Sequence, residues 1–189
     1  MATTEKASPR DRLLDAAAEL FYRDGVSIGV EALCKSAGVS KRSMYQLFDS
    51  KDEVLAASLE RRAPGYAAHL MPGPDDAGTP REHILYVFGQ AEKASTQAGY
   101  LGCPFLATMV ELKDAEHPAS MVARGAKEKL QDAFRDQAEL GGARDPVLLA
   151  RQLMLIFDGA SARAGAKLES LDGLTVETVR TLLDAAGVV

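Results

Sequence analysis

An all-α fold of about nine helices follows from three features of this 189-residue chain. Ala and Leu, both strong helix formers, are abundant, while aromatic residues make up only 6%, a composition that favours helix over sheet. Apolar residues recur at three- and four-residue spacing, and no stretch alternates as a strand would. Helix starts are marked by Ser8-Pro9, Thr79-Pro80 and Asp145-Pro146. Each pairs a capping side chain with a proline whose missing N–H is tolerated in the first turn. The length suits one or two small domains with a substantial core.

Residues 1–8 read as a mobile arm. The first helix starts at Pro9 behind Ser8 and runs to about Arg23, with Leu13, Leu14, Ala17, Leu20 and Phe21 as its apolar stripe, and Gly25 stops it. Two short helices follow, Val30–Ala37 and Lys41–Leu47, joined by Gly38-Val39-Ser40. Gly38 suits the left-handed conformation that ends the first of them, and Ser40 is a good N-cap for the second. Val30, Leu33, Cys34 and Ala37 share one face; Val39, Met44, Leu47 and Phe48 supply its apolar counterpart. This is the pattern of a helix-turn-helix, whose second helix lies in the DNA major groove.

Ser50 caps a fourth helix, with Glu53 in the capping-box position and Val54, Leu55, Ser58, Leu59 and Arg62 along it. Pro64-Gly65 is expected to kink it or end it early. The Pro- and Gly-rich segment 71–80 is a loop. Thr79-Pro80-Arg81-Glu82 restarts a helix that ends near Ala98-Gly99. A short helix reaches about Lys113, and Asp114–Pro118 is a turn. The segment 118–140 is a long amphipathic helix with Met121, Val122, Ala126, Leu130, Ala133, Phe134, Ala138 and Leu140 apolar. The next helix, 146–166, is apolar all round at Leu153–Phe157, so more than one side should be buried. Its small residues Gly159-Ala160-Ser161 and Ala164-Gly165 permit close helix approach. A last helix spans roughly Val176–Ala186.

The run Ala37-Gly38-Val39-Ser40-Lys41, then Met44-Tyr45, Phe48 and Ser50-Lys51-Asp52-Glu53-Val54-Leu55, resembles the DNA-binding domain of TetR-family repressors. Leu13–Ala17 through Leu20-Phe21 and Gly25 resemble that domain's first helix. The resemblance implies a helix-turn-helix DNA-binding domain over 1–50 and a helical effector-binding and dimerisation domain over 51–189. It further implies a homodimer joined through the last two helices, a double-stranded DNA operator and a small-molecule effector. Three positions depart from the family pattern: Arg42 stands where Gly is frequent, Leu47 where His is frequent, and Ile28-Gly29 where Thr is usual.

Net charge is −5, which argues against indiscriminate nucleic-acid binding. Residues 1–62 hold ten basic and ten acidic side chains, however, and residues 63–189 hold twelve and seventeen. A neutral head on an acidic body is compatible with a local basic face. Lys41, Arg42 and Gln46 are the long polar side chains on the outer side of the second motif helix. Arg pairs naturally with guanine and Gln with adenine, so Arg42 and Gln46 are expected at bases. Tyr45 and Lys51 match family positions that contact phosphates, and Ser40 and Ser43 add hydroxyls.

For the effector, Phe88, Tyr100, Cys103, Phe105, Met109, Leu130, Phe134, Met154 and Phe157 are candidate linings, a mixture suited to an apolar or aromatic ligand. No catalytic constellation, metal spacing or cofactor motif is legible among the three histidines and two cysteines. No run approaches the length of a membrane span and no signal-peptide core is present, so a cytoplasmic protein with separate reduced thiols is expected. Two alternatives remain: a helical ligand-binding or interaction protein whose head no longer binds DNA specifically, and an α-helical enzyme.

Overall fold

The computed structural model describes residues 7–73 and 76–189. The arm expected at 1–8 therefore lies largely outside the described residues, as does the middle of the 71–80 loop. Among the described residues there are nine helices and no strand: α1 Pro9–Asp24, α2 Val30–Ala37, α3 Lys41–Leu47, α4 Lys51–Leu70, α5 Pro80–Ser95, α6 Pro104–Leu112, α7 Pro118–Leu140, α8 Pro146–Gly165 and α9 Leu174–Ala186. They pack as two compact units, Met1–Arg62 with Thr108–Ala123, and Ala63–Ala107 with Arg124–Val189. This partition by packing differs from the functional division expected at residues 50 and 51, because it places part of α4 and the segment 108–123 in the first unit.

In the first unit α1 supplies a buried stripe of Leu13, Leu14, Ala16, Ala17, Leu20 and Phe21, against which α2 and α3 pack. Leu33, Cys34 and Ala37 of α2, Met44 of α3 and Phe48 complete the core with Val54, Leu55 and Leu59 of α4. Burying each large apolar side chain stabilises by roughly 1.5–3 kcal/mol relative to exposure. Leu47, expected on this apolar side, is instead 40% exposed. Met44 and Phe48 fill the interior, and position 47 turns outward between them. Polar ties hold the same helices: Arg12 Nε donates to the Ala37 carbonyl at 3.2 Å, and Arg61 pairs with Asp11 at 3.1 Å and Asp15 at 3.2 Å.

The second unit is built on α5, α8 and α9, which pack on one another. The capping box at Thr79 and Glu82 is formed in both directions, and Asp145 caps α8 through the Leu148 N–H at 2.9 Å. The start of α9 is held from another helix. Glu92 of α5 accepts from the backbone N–H groups of Gly173 at 3.0 Å and Thr175 at 2.8 Å, and from the Thr175 hydroxyl. A carboxylate at a helix N-terminus satisfies donors that the helix cannot use and complements its dipole. The opposite end of α9 is tied by Arg81 to Asp184 at 2.6 Å and to the Val188 carbonyl at 3.0 Å.

Several boundaries and faces differ from the sequence reading. α4 passes through Pro64 to Leu70 with no early stop. Proline removes a single intrahelical bond, and Glu60, Pro64 and Gly65 are all exposed. Buried Leu70 and the edge-on contact of Tyr66 with Phe105 at 5.3 Å hold the following turns. α5 ends at Ser95, short of Ala98-Gly99, in a turn whose Gly99 has φ 82°. α9 begins at Leu174, two residues before Val176, because Glu92 caps it there. On α7 the buried stripe is Ala119, Ala123, Lys127, Phe134 and Ala138, while Met121 and Leu140 are exposed. On α8, Leu153, Met154 and Phe157 are buried but Leu155 is 75% exposed. Finally, Gly165 at the end of α8 admits a loop. A Cβ on Gly165 would lie 2.5 Å from the Leu101 carbonyl oxygen, and one on Gly102 would lie 2.8 Å from that of Ser161.

Candidate functional site

The motif expected at 30–48 forms with the boundaries its residues imply. Gly38 adopts φ 62° and ψ 39°, and its peptide N–H closes α2. The Ser40 hydroxyl accepts from the Ser43 N–H at 3.0 Å and lies 2.9 Å from the Ser43 hydroxyl. These two residues set the direction in which α3 leaves the turn. Met44 anchors α3 from below, its sulfur 3.8 Å from the Cys34 thiol. Burial in this apolar setting pushes the Cys34 thiol above its ordinary pKa, so it stays protonated and behaves as core.

With Met44 and Phe48 inward, the remaining positions of α3 face out. Ser40, Lys41, Arg42 and Gln46 are exposed, and Tyr45 is 54% exposed. Lys41 comes within 3.9 Å of Glu31 of α2, a surface pair in which both side chains stay mostly in solvent. The structure therefore gathers Ser40, Lys41, Arg42, Ser43, Tyr45 and Gln46 on one short helix. Lys51 stands apart. It is half-buried and its ammonium donates to the Val26 carbonyl at 2.8 Å. Arg10, which the sequence reading passed over, lies 5.3 Å from the centre of the Phe48 ring.

Two further contacts in this unit come from residues far along the chain. Glu111 of α6 accepts from the Val26 N–H at 2.6 Å, beside Gly25 with φ 88°. His117 sits 3.6 Å from the Asp52 carboxylate. The peptide groups flanking Val26 are thus held on one side by Glu111 and on the other by Lys51. Nothing within four residues of Glu111 signals this.

The expected ligand residues divide. Phe88, Phe134 and Phe157 meet in the second unit, the first two stacked at 5.6 Å and Phe157 edge-on to Phe88 at 6.3 Å. Met154 is buried one helical turn before Phe157. Phe105 is buried against Tyr66. Cys103 is a buried free thiol, like Cys34. Tyr100 is half-buried on the cluster of Ala160, Ala164 and Leu171, with Lys167 donating to its carbonyl at 2.7 Å. Leu130 is half-buried on α7. Met109 falls in the first unit. Sequence reading missed Lys127, whose ammonium pairs with Asp158 over the Phe157 ring. The clue was present: Lys127 is four residues from Ala123 and seven from Phe134, in register with the buried stripe.

The family model for the bacterial regulatory proteins of the tetR family matches residues 13–58, the stretch that builds α1 to α4. A crystal structure of a protein assigned to the TetR transcriptional regulators, from Streptomyces avermitilis, superposes with a TM-score of 0.95. It is 60% identical and covers 97% of this chain and 100% of its own. The chain belongs to the TetR family of DNA-binding transcriptional regulators. A TetR-family regulator from Streptomyces coelicolor shares the fold at a TM-score of 0.84 and 25% identity, over 95% of this chain and 96% of its own. An uncharacterised HTH-type transcriptional regulator of Mycobacterium tuberculosis is 36% identical over 92 residues, which are 45% of this chain. That match spans about half of the curated relative, 46% of its length. The TetR family is one of regulators rather than enzymes. Among the described residues no helix is long and apolar enough to cross a membrane.

Proposed function

We propose that this TetR-family protein is a ligand-responsive cytoplasmic repressor that binds a palindromic operator as a homodimer and is released by a small apolar or aromatic effector. Residues 1–50 act on DNA, and 51–189 take the effector and pair the subunits. The observation that carries this reading is the outward set on α3. Lys41, Arg42 and Gln46 are exposed on a helix whose direction is fixed by the Ser40 cap and whose other side is locked in by Met44. Arg42 and Gln46 read base edges, while Lys41, Tyr45, Ser40, Ser43 and Lys51 serve phosphates. Lys51 already uses one donor on Val26, and an ammonium has three, so its phosphate role is that of a held point charge.

Pairing of subunits is supported by α8, which leaves Val147, Leu148 and Leu155 in solvent, and by Leu174 at the start of α9. An apolar helix face of this kind is stabilised by a partner. Light scattering should show a dimer, and Leu155→Glu should shift it to monomer and abolish operator binding. A dimer that survives Leu155→Glu would remove α8 from the interface. The effector works by differential affinity for two states of the dimer, so effector and operator oppose each other reciprocally.

Fluorescence anisotropy on the DNA flanking the gene, across a salt series with scrambled duplex as control, tests the reading. Binding to one segment that weakens steeply with salt is expected. The second reading, a ligand-binding protein with a head that has lost specificity, is favoured by the neutral charge of residues 1–62 and by Leu47. Equal binding to specific and scrambled duplexes, including duplexes selected from random sequence, would establish it.

A further inference from the structure

Two side chains from distant parts of the chain close on one residue of the connection between α1 and α2. Among the described residues, neither the Val26 N–H nor its carbonyl pairs with another backbone group. The N–H instead donates to Glu111 Oε2 at 2.6 Å, and the carbonyl accepts from the Lys51 ammonium at 2.8 Å. The other carboxylate oxygen of Glu111 lies over Gly25, where a Cβ would stand 2.5 Å from it. Gly25, at φ 88°, leaves room for the carboxylate and lets the chain turn out of α1. Residue 26 is therefore tied at both of its peptide groups, and the direction of its carbonyl is set with them. Glu111, Val26 and Lys51 all belong to the first unit.

A carbonyl holds an ammonium without cancelling its charge. In the same unit Arg23 and Arg61 are paired with acids, but among the described residues no ion pair involves Lys51. The two acids that follow it are engaged elsewhere. Asp52 lies 3.6 Å from His117, and Glu53 accepts from the Asp49 N–H at 2.6 Å.

Resting on the reading of Lys51 as a phosphate contact, we propose that Glu111 is a positioning residue for DNA binding. Through the peptide groups of Val26 it holds the carbonyl that aims the Lys51 ammonium. By its charge alone, an acid near a DNA-binding surface opposes binding, because it repels phosphates. Glu111 favours binding through the geometry it imposes. Its charge and its reach thus have opposite effects, and substitution separates them. Glu111→Gln keeps an acceptor oxygen at the same length and drops the charge. Glu111→Asp keeps the charge and is one methylene too short for Val26.

Fluorescence anisotropy across a salt series, on a duplex selected from random sequence by the full chain, tests the proposal. Lys51→Ala should weaken binding to selected and scrambled duplexes alike and lower the salt slope by about one. Glu111→Asp should do the same, although its net charge equals the parent's. Glu111→Gln should keep the parent slope and bind at least as tightly. In a Lys51→Ala background Glu111→Asp should change nothing further, because the contact it serves is gone. Position 111 is exposed, so these variants should fold, which circular dichroism checks. A purely structural Glu111 would lower the melting temperature of Glu111→Asp and leave its salt slope at the parent value. That parent slope overturns the proposal, as does a lower slope in Glu111→Gln or additive losses in the double variant. Lys51→Ala at the parent slope overturns the phosphate reading of Lys51 as well, so the two failures are distinguishable. A chain that selects no duplex overturns both.

Discussion

The two packing units place their charged and aromatic side chains differently relative to their cores. In the first, α3 buries Met44 and turns Lys41, Arg42, Tyr45 and Gln46 outward, so the interior serves only to aim the surface. In the second, the chemically distinctive groups are inside: the Phe88, Phe134 and Phe157 rings, with Lys127 and Asp158 against them. A site on a surface and a site in a core respond differently to substitution. Truncating an exposed side chain removes a contact with a partner and leaves the fold intact. Truncating a core side chain changes fold and site together.

That contrast gives an order of effects. Phe88→Ala removes a fully buried ring that touches two others and should cost about 3–5 kcal/mol of stability by denaturant unfolding. A loss below about 1 kcal/mol would mean that the interior is loosely packed, and the contrast would fail. Arg42→Ala and Gln46→Ala should each cost roughly 1–3 kcal/mol in preference for the operator over scrambled duplex. Their melting temperatures should match the parent, and a melting point several degrees lower would show that these side chains also hold the fold. Ser40→Ala should cost about 1 kcal/mol of stability through loss of the α3 cap, and with it some operator affinity.

The smallest effect is one of pH. Hydrogen bonds from Thr79 hold the exposed Glu82 carboxyl below its ordinary value of 4.5. A lowered folded-state value means stability that is present above the unfolded value and lost as pH falls through the folded one. The small advantage of the parent over Glu82→Gln in thermal melts should therefore be constant at neutral pH and shrink as pH drops below about 4.5. An advantage that persists at lower pH would show that the capping box works without its charge.

How far the molecule was legible from its residues differed between the same two regions. The helix-turn-helix was readable to the residue because Gly38, Ser40 and the apolar spacing act within a few positions. Leu47 was misjudged because a seven-residue helix has room for few inward side chains, and Met44 with Phe48 already fills them. In the second region the helices were legible but their faces less so. Met121 and Leu140 are apolar yet exposed, and Lys127 is charged yet buried, so hydrophobicity alone assigned each of these to the wrong side. The early stop that Pro64 allowed does not occur, because one lost backbone bond is outweighed by the packing of the turns that follow it.

By itself the sequence determined what is local. Caps at Ser8, Ser40, Thr79 and Asp145, the left-handed turn at Gly38 and the apolar stripe of α1 depend on neighbours within four residues or on a single repeat. The tertiary structure decided what links distant positions: Lys127 to Asp158 across 31 residues, Glu92 to Thr175 across 83, and Glu111 to Val26 across 85. A contact between residues so far apart has no counterpart in local propensity. It exists only when packing brings two backbones together, and the energy that places it there is spread over every side chain buried between them.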